Sequence, residues 1–408
     1  MNAEINLDRL KNNLIELSQI GKDPAGGLSR PSFSKADLEA REWLKDKISC
    51  AGLEVSQDGA GNIFATLEGK GETVMAGSHI DTVINGGMFD GTVGVLSALE
   101  CLQIIKENGI KHINPLSMAS FTDEEGNLVG DFLGSRAFTG ALKRDTLEKG
   151  LTQFGQPLAN ILKNTEFTLD SIMSASKQRP QIKAFIEIHI EQGSQLETED
   201  KSIGIVKSIA GKNLWTCLFQ GLATHAGTTP FELRHDAFLG LADFALKATH
   251  YVAKEHYGSM LTIGNARLYP GAFSIIPGRV EFSLDFRSQS SQTLREIEVK
   301  LLEIAEDISN SRGLQFHYKT MDKTEPVKTI PYIKDLMAKF CEELDYPYMF
   351  LNSGAGHDAQ ILNLITDIGM IFIPCEDGIS HSPQEKIDWE DLGKAANLLL
   401  KLLIELSS

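Results

Sequence analysis

Apolar and polar positions change rhythm several times along the chain, and each change predicts an element. The opening stretch MNAEINLDRLKNNLIELSQI has the pattern of an amphipathic helix. Ser34 and Asp37 make a helix start, Leu38, Trp43, Leu44 and Ile48 follow at helical spacing, and Gly52 ends the run. Short strands are predicted at 53–57 and 63–67, joined by the glycine-rich turn from Asp58 to Asn62. The run 73–77 reads as a buried strand, 91–110 as a helix apolar over a broad face, and 115–122 as another strand. Strand patterns recur at 184–188 and 369–374, and helices are predicted at 331–343 and 389–406. Such alternation predicts an α/β fold, a helix-covered and mostly parallel sheet.

The rhythm differs in the middle of the chain. Strands at 214–219, 260–266 and 279–286 accompany two long helices at 235–255 and 291–311, which reads as an inserted α+β domain. The expected division is a discontinuous first domain, 1–208 with 325–408, and an insert over 209–324, with hinges near 207–212 and 320–330. Two domains also suit 408 residues, because single cores stop growing near roughly 250–300 residues.

Ligands of such sheets gather at the carboxyl ends of strands. His79 and Asp81 follow the strand at 73–77, with Asp90 soon after; Glu124 and Glu125 follow the next strand; His189 follows 184–188 and His381 follows 369–374. Any one of these taken singly is better read as a loop or capping residue. Together they predict a dinuclear site, His79, Asp90 and His189 on one ion and Asp90, Glu125 and His381 on the other. Two divalent ions roughly 3.5–4 Å apart can share and acidify a water, with one bridging carboxylate between them. Imidazole and carboxylate donors suit zinc, manganese, cobalt or nickel over calcium. Asp81 would orient His79 from behind, and Glu124 would be the general base. In the insert, His225 could donate to an oxyanion, by closure or from a second subunit, and Arg287 could grip a carboxylate. His357 is read as ordering its loop, and His112, His250, His256 and His317 receive no role.

Composition narrows the partners. A formal net charge of −16 opposes nucleic acid and anionic membrane surfaces, and no run approaches the roughly 20 apolar residues of a membrane span. Five scattered cysteines without CxxC spacing argue against a disulfide framework and for a reducing cytoplasm. The opening helix lacks the features of an export signal.

The stretches FSKADLEAREWL, GSHIDTVINGGMFDG, DEEG, HIEQG, THAGTTP, IPGRVEFSLDFR, GAGHDAQ and GISHSPQE resemble, in order and nearly end to end, the zinc amidohydrolases. That family includes N-carbamoyl-L-amino acid hydrolase and allantoate amidohydrolase, within the dizinc aminoacylase and carboxypeptidase superfamily. The resemblance implies metal ligands at His79, Asp90, Glu125, His189 and His381, with Glu124 as base. It also implies substrate contacts at Gln192, His225, Arg287, Gly356 and position 274, with the histidine supplied by the partner in a homodimer. Position 274 departs from the pattern, since Ser274 stands where members commonly carry asparagine. The implied reaction is hydrolysis of a linear ureido C–N bond, releasing ammonia and carbon dioxide. The alternatives are a dizinc aminoacylase or dipeptidase, against which His189 counts, and a catalytically dead binding protein, against which Glu124 counts.

Overall fold

The structure is a computed structural model that describes residues 3–408; residues 1 and 2, where the opening stretch and the first expected domain begin, lie outside the described residues. The chain divides into two compact units, one running to Lys207 and resuming over Thr329–Ser408, the other being Ser208–Lys328.

The first unit is built around the strand Thr73–His79, buried at every position. Its neighbours are the parallel strands Leu116–Phe121 and Ile182–Ile190, and Asp367–Ile373 lies parallel beyond the latter. From one edge the order is Glu54–Gln57, Ile63–Leu67, Leu116–Phe121, Thr73–His79, Ile182–Ile190, Asp367–Ile373, then Ile203–Ile209. The four central strands are parallel, while Glu54–Gln57, Ile63–Leu67 and Ile203–Ile209 join antiparallel. Parallel strands covered on both faces need apolar side chains throughout, which explains the uninterrupted runs that predicted them. Parallel register also brings their carboxyl ends to one edge of the sheet.

The helix Thr92–Glu107 is buried along nearly its whole length. It packs so closely on the sheet that a Cβ at Gly94 would lie 2.4 Å from the Ile188 carbonyl oxygen. The closing helix Trp389–Leu406 buries Leu392, Leu399 and Leu403 in the same core. Four short helices, Leu133–Thr139, Arg144–Lys149, Leu158–Leu162 and Leu169–Ser174, fill a stretch where periodicity predicted nothing. At five to seven residues each, they are too short to show a repeat. They are held by their own cluster of Phe33, Leu128, Leu133, Leu158, Phe167 and Ile172.

The second unit is a five-stranded antiparallel sheet with the helices Ala237–Glu255 and Ser291–Arg312. Strand Arg279–Ser288 alternates strictly: Val280, Phe282, Leu284 and Phe286 are buried, and Glu281, Ser283, Asp285 and Arg287 half-buried. The single strand expected at 260–266 is instead two, Met260–Thr262 and Ala266–Tyr269, both paired with Arg279–Ser288. Gly264 falls in the break, as glycine inside a strand pattern tends to. The edge strand Gln315–Thr324 is mostly exposed and polar, so its alternation carried no signal. Among the described residues no helix is long and apolar enough to cross a membrane.

A buried ion pair anchors one wall of the site. The helix Lys35–Cys50 is capped by Ser34, which accepts from the Asp37 amide, and the Asp37 carboxylate accepts from Arg41 Nε at 2.6 Å and from the Phe33 amide at 2.8 Å. Arg41 reaches on to the Gly61 carbonyl oxygen and to Thr122 Oγ1, the residue before Asp123, so a helix expected to bury only apolar side chains also buries a cation that pins the acidic loop. Asp37→Ala should cost about 3–5 kcal/mol, since it strands a buried guanidinium. Urea unfolding measures this, and Asp37→Leu/Arg41→Met should recover most of the loss.

Candidate metal centre and active site

The carboxyl-end edge of the first unit's sheet collects His79, Asp81, Asp90, Glu124, Glu125, His189, Gln192 and His381. Asp90 stands at their centre. Its Oδ1 lies 3.0 Å from His189 Nε2 and 3.5 Å from His79 Nε2, and its Oδ2 lies 3.1 Å from His381 Nε2. Glu125 Oε2 is 3.5 Å from His381 Nε2. Two donor sets result, His79, Asp90, His189 and Asp90, Glu125, His381, each with donor atoms within 4.8 Å of one another. Glu124 belongs to neither set; its Oε2 lies 3.7 Å from His79 Nε2.

Local backbone explains the aim. His79 Nδ1 is 3.0 Å from the Asp81 main-chain oxygen, and His189 Nδ1 is 3.0 Å from that of Ile190. A carbonyl oxygen only accepts, so both Nδ1 atoms carry a proton and both Nε2 atoms face the centre, where the neutral ring would offer a lone pair. The hydrogen bond behind His79 thus comes from the Asp81 main chain, not from its carboxylate, which stands 3.6 Å away. That carboxylate instead accepts from the Glu124 and Glu125 amides, at 3.4 Å each, and so shapes the acidic loop. Gly91 has φ +66, and a Cβ there would lie 2.3 Å from His79 Nε2. Asp123, Gln192 and His381 all take positive φ, 59, 56 and 54, a conformation that costs a non-glycine residue of order 1–3 kcal/mol. Strain of this kind gathers where side chains must leave a strand end in a fixed direction.

The electrostatics suit cations. Burial lifts Glu124 well above the usual carboxylate range, and Glu125, Asp358 and Asp90 reinforce this against His79. Glu125 is pushed up to about 8 by burial and by Asp90. His381, hydrogen-bonded to Asp90, is raised to about 9. Burial opposes a charge on His79, yet Glu124, Asp90 and Asp81 outweigh it and hold the imidazole well above its usual range. Crowded acids that retain protons, beside imidazoles that gain them, make a site short of positive charge. His79 Nε2 and Glu125 Oε1 are buried without a hydrogen-bond partner, so the donor set fits two divalent ions.

Other expected residues fall elsewhere. Gln192 Nε2 donates to Asp90 Oδ2 at 2.9 Å and leaves its Oε1 unpartnered. At Gly356 a Cβ would lie 2.7 Å from the Phe132 ring, so only glycine fits. His357 does order its loop, bonding Ser353 Oγ at 2.9 Å, and its ring also packs on His189 with centroids 4.6 Å apart. His225, Ser274 and Arg287 lie in the second unit. There Ala226 donates to the Ser274 carbonyl oxygen at 2.9 Å and His225 bridges Ile275. Arg287 sits near the far end of Arg279–Ser288, its Nη2 2.7 Å from Asp285 Oδ2. Ser274 therefore travels with His225, and Arg287 stands apart from both.

Several buried groups escaped the sequence reading. Glu187 accepts from Ser78 Oγ at 2.7 Å and from the Ala359 amide at 2.8 Å, tying strand ends together two residues before His189. Asp123 accepts from the Leu128 amide at 3.0 Å and closes the acidic loop. Ser380 and Glu385 lie inside a motif that was quoted for His381 alone. The one available signal was the presence of polar residues inside otherwise apolar runs, as with Glu187.

Residues 75–405 match the model of peptidase family M20/M25/M40. An N-carbamoyl-L-amino acid amidohydrolase from Geobacillus stearothermophilus is 35% identical over 404 residues, covering 98% of each chain. The allantoate amidohydrolase of Escherichia coli strain K12 is 32% identical over 398 residues, covering 96% of each. Among solved structures, an amidase of the hydantoinase/carbamoylase family from Burkholderia multivorans matches with a TM-score of 0.89 at 30% identity, covering 100% of this chain and 99% of that one.

Glu125 and His381 must each lose a proton to ligate a metal, and their raised values, about 8 and about 9, keep those protons on at neutral pH. Affinity for zinc or manganese should therefore fall as the pH drops below these values, by roughly tenfold per pH unit for each proton displaced. Chelator competition across that range measures it; a flat profile would contradict protonated ligands in the metal-free protein.

Proposed function

The chain belongs to peptidase family M20/M25/M40, and from that premise we propose that it is a metal-dependent amidohydrolase that cleaves the C–N bond of a linear ureido acid. N-carbamoyl-L-amino acids and allantoate-like acids are the substrate classes, and ammonia and carbon dioxide are products. The observation that carries this reading is the pair of donor sets sharing Asp90, with Glu124 beside them and outside both. A binding protein would need no such unligated buried acid.

His79, Asp90 and His189 would hold one divalent ion and Asp90, Glu125 and His381 the other, zinc or manganese being the proposed metals. When bound, such ions polarise a carbonyl and make water nucleophilic near neutral pH. Glu124 takes the proton from the attacking water and returns it to the leaving nitrogen. Burial suits it to both steps, because a raised pKa makes the carboxylate a stronger base and the acid easier to reach. One water is consumed, at the C–N bond hydrolysed in the site; the amine leaves with the proton Glu124 carried, and the carbamic acid left behind splits to ammonia and carbon dioxide without a second water.

Gln192 has an unpartnered amide oxygen to offer a ureido N–H. His225 would donate to the developing oxyanion, and Ser274, held beside it by the Ala226 amide, would contact the substrate carboxylate in place of an asparagine. Arg287 would grip that carboxylate, exchanging its pairing with Asp285 for it. We propose a homodimer, acting in the cytoplasm, in which His225 and with it Ser274 come from the partner subunit. Exposed Phe231, Leu246, Tyr257 and Phe273 on the second unit support pairing of chains there.

Ammonia release by metal-stripped protein resupplied with zinc, manganese or cobalt tests the reaction, against N-carbamoyl-L-amino acids, their D forms, allantoate, ureidoglycolate and acetyl-amino acids. Ureido substrates should turn over far faster than acetyl-amino acids; comparable rates would move the reading to an aminoacylase. In the same assay Glu124→Gln should keep both metals and lose about 100-fold or more in kcat. For the dimer, mixing Glu124→Gln with His225→Ala should restore part of the activity that each lacks alone. No recovery after demonstrated subunit exchange would count against a shared site.

A further inference from the structure

Glu385 is a carboxylate 4% exposed that no step of the hydrolysis uses. Its Oε1 accepts from the Phe89 amide at 2.7 Å and from the Asp90 amide at 3.2 Å. Its Oε2 lies 3.3 Å from Ser380 Oγ, and the same hydroxyl is 3.0 Å from Asp90 Oδ2. One hydroxyl thus sits between the two carboxyl groups, with Glu385 holding the main chain at Asp90 and Ser380, alongside Gln192, holding the side chain. The space is reserved in the sequence: a Cβ at Gly87 would lie 2.2 Å from Glu385 Oε1, so any larger residue would evict the carboxylate. Ser380 and Glu385 bracket His381, and Phe89 and Asp90 belong to a loop nearly three hundred positions earlier. The contact therefore joins the last metal-binding loop to the first.

We propose that Glu385 is a positioning residue which, acting with Ser380, sets the direction of the shared Asp90 carboxylate and so holds both donor sets in register. The Asp90, Glu125 and His381 set depends on it most, because Ser380 touches the Asp90 oxygen that faces His381. The proposal rests on the metal reading above and not on the choice of substrate. Removing the clamp lets Asp90 turn, and the ion on that oxygen's side loosens first. Partners that orient metal ligands from behind are typically worth about 10- to 100-fold in affinity.

The experiment measures metal stoichiometry and chelator-competed affinity for zinc and manganese in full-length wild type, Glu385→Ala, Glu385→Gln and Ser380→Ala, together with kcat, KM and metal-free thermal unfolding. Glu385→Ala should retain one ion tightly and bind the second about 10- to 100-fold more weakly, with kcat lowered and KM little altered. Glu385→Gln keeps a carbonyl oxygen for the two amides and should recover most of that affinity; Ser380→Ala should show a smaller loss at unchanged metal-free stability. Should Glu385→Ala not fold, Glu385→Asp decides, since one methylene less cannot span both the amides and Ser380. Wild-type affinity for both ions in Glu385→Ala or Glu385→Asp would overturn the proposal. A wild type that binds no metal would remove the metal reading itself, a result distinguishable from the former.

Discussion

Everything in the first unit depends on one carboxylate facing two ways. Asp90 turns Oδ1 to His79 and His189 and Oδ2 to His381, and those partners come from three different strand ends. A shift of one strand by one residue would invert its side chains across the sheet, so the site demands the parallel register seen between Thr73–His79, Leu116–Phe121, Ile182–Ile190 and Asp367–Ile373. The all-apolar strands and the buried helix Thr92–Glu107 supply that rigidity. Positive φ at Asp123, Gln192 and His381 records its local cost, which the core around them sustains.

The second constraint is charge. A chain of net charge −16 buries further carboxyls, Glu187, Asp123 and Asp358, beside the acids already at the site. Burial raises Asp358 to about 8 with help from Glu187. Burial favours the protonated form of such acids, and divalent cations at the two donor sets would offset their charge instead. The second unit carries candidates of another kind, two hydrogen-bonding side chains and a cation. His225 and Ser274 lie at one isolated bridge there, while Arg287 stands at the other end of a ten-residue strand.

Fold class and the grouping of candidate ligands were legible because they rest on periodicity and on strand ends. Fully apolar runs announce parallel strands, and a histidine or acid just beyond such a run can be placed without knowing which strands are neighbours. The short helices between Leu133 and Ser174 left no readable period, and the exposed strand Gln315–Thr324 left no alternation. Supporting residues were harder still. Arg41, Glu187 and Glu385 act through partners remote in sequence, so nothing adjacent to them in the chain marks their role. Asp81 shows the finer limit: its importance to His79 was apparent from its spacing, but that the main-chain oxygen makes the contact and the carboxylate shapes the next loop emerges only in three dimensions.

The order in which the site's pieces occur along the chain has a consequence for biosynthesis. The donors of the first set are all translated by His189, yet the strand Asp367–Ile373, paired with Ile182–Ile190, and the Glu385 clamp on Asp90 come some two hundred residues later. Domains form as units during synthesis at about 5–20 residues per second, so a nascent chain carries an unsupported half-site for many seconds before its sheet can close. A chain truncated before residue 381 keeps every donor of the first set and two of the second, and lacks only His381 and the contacts of Ser380 and Glu385 that hold Asp90.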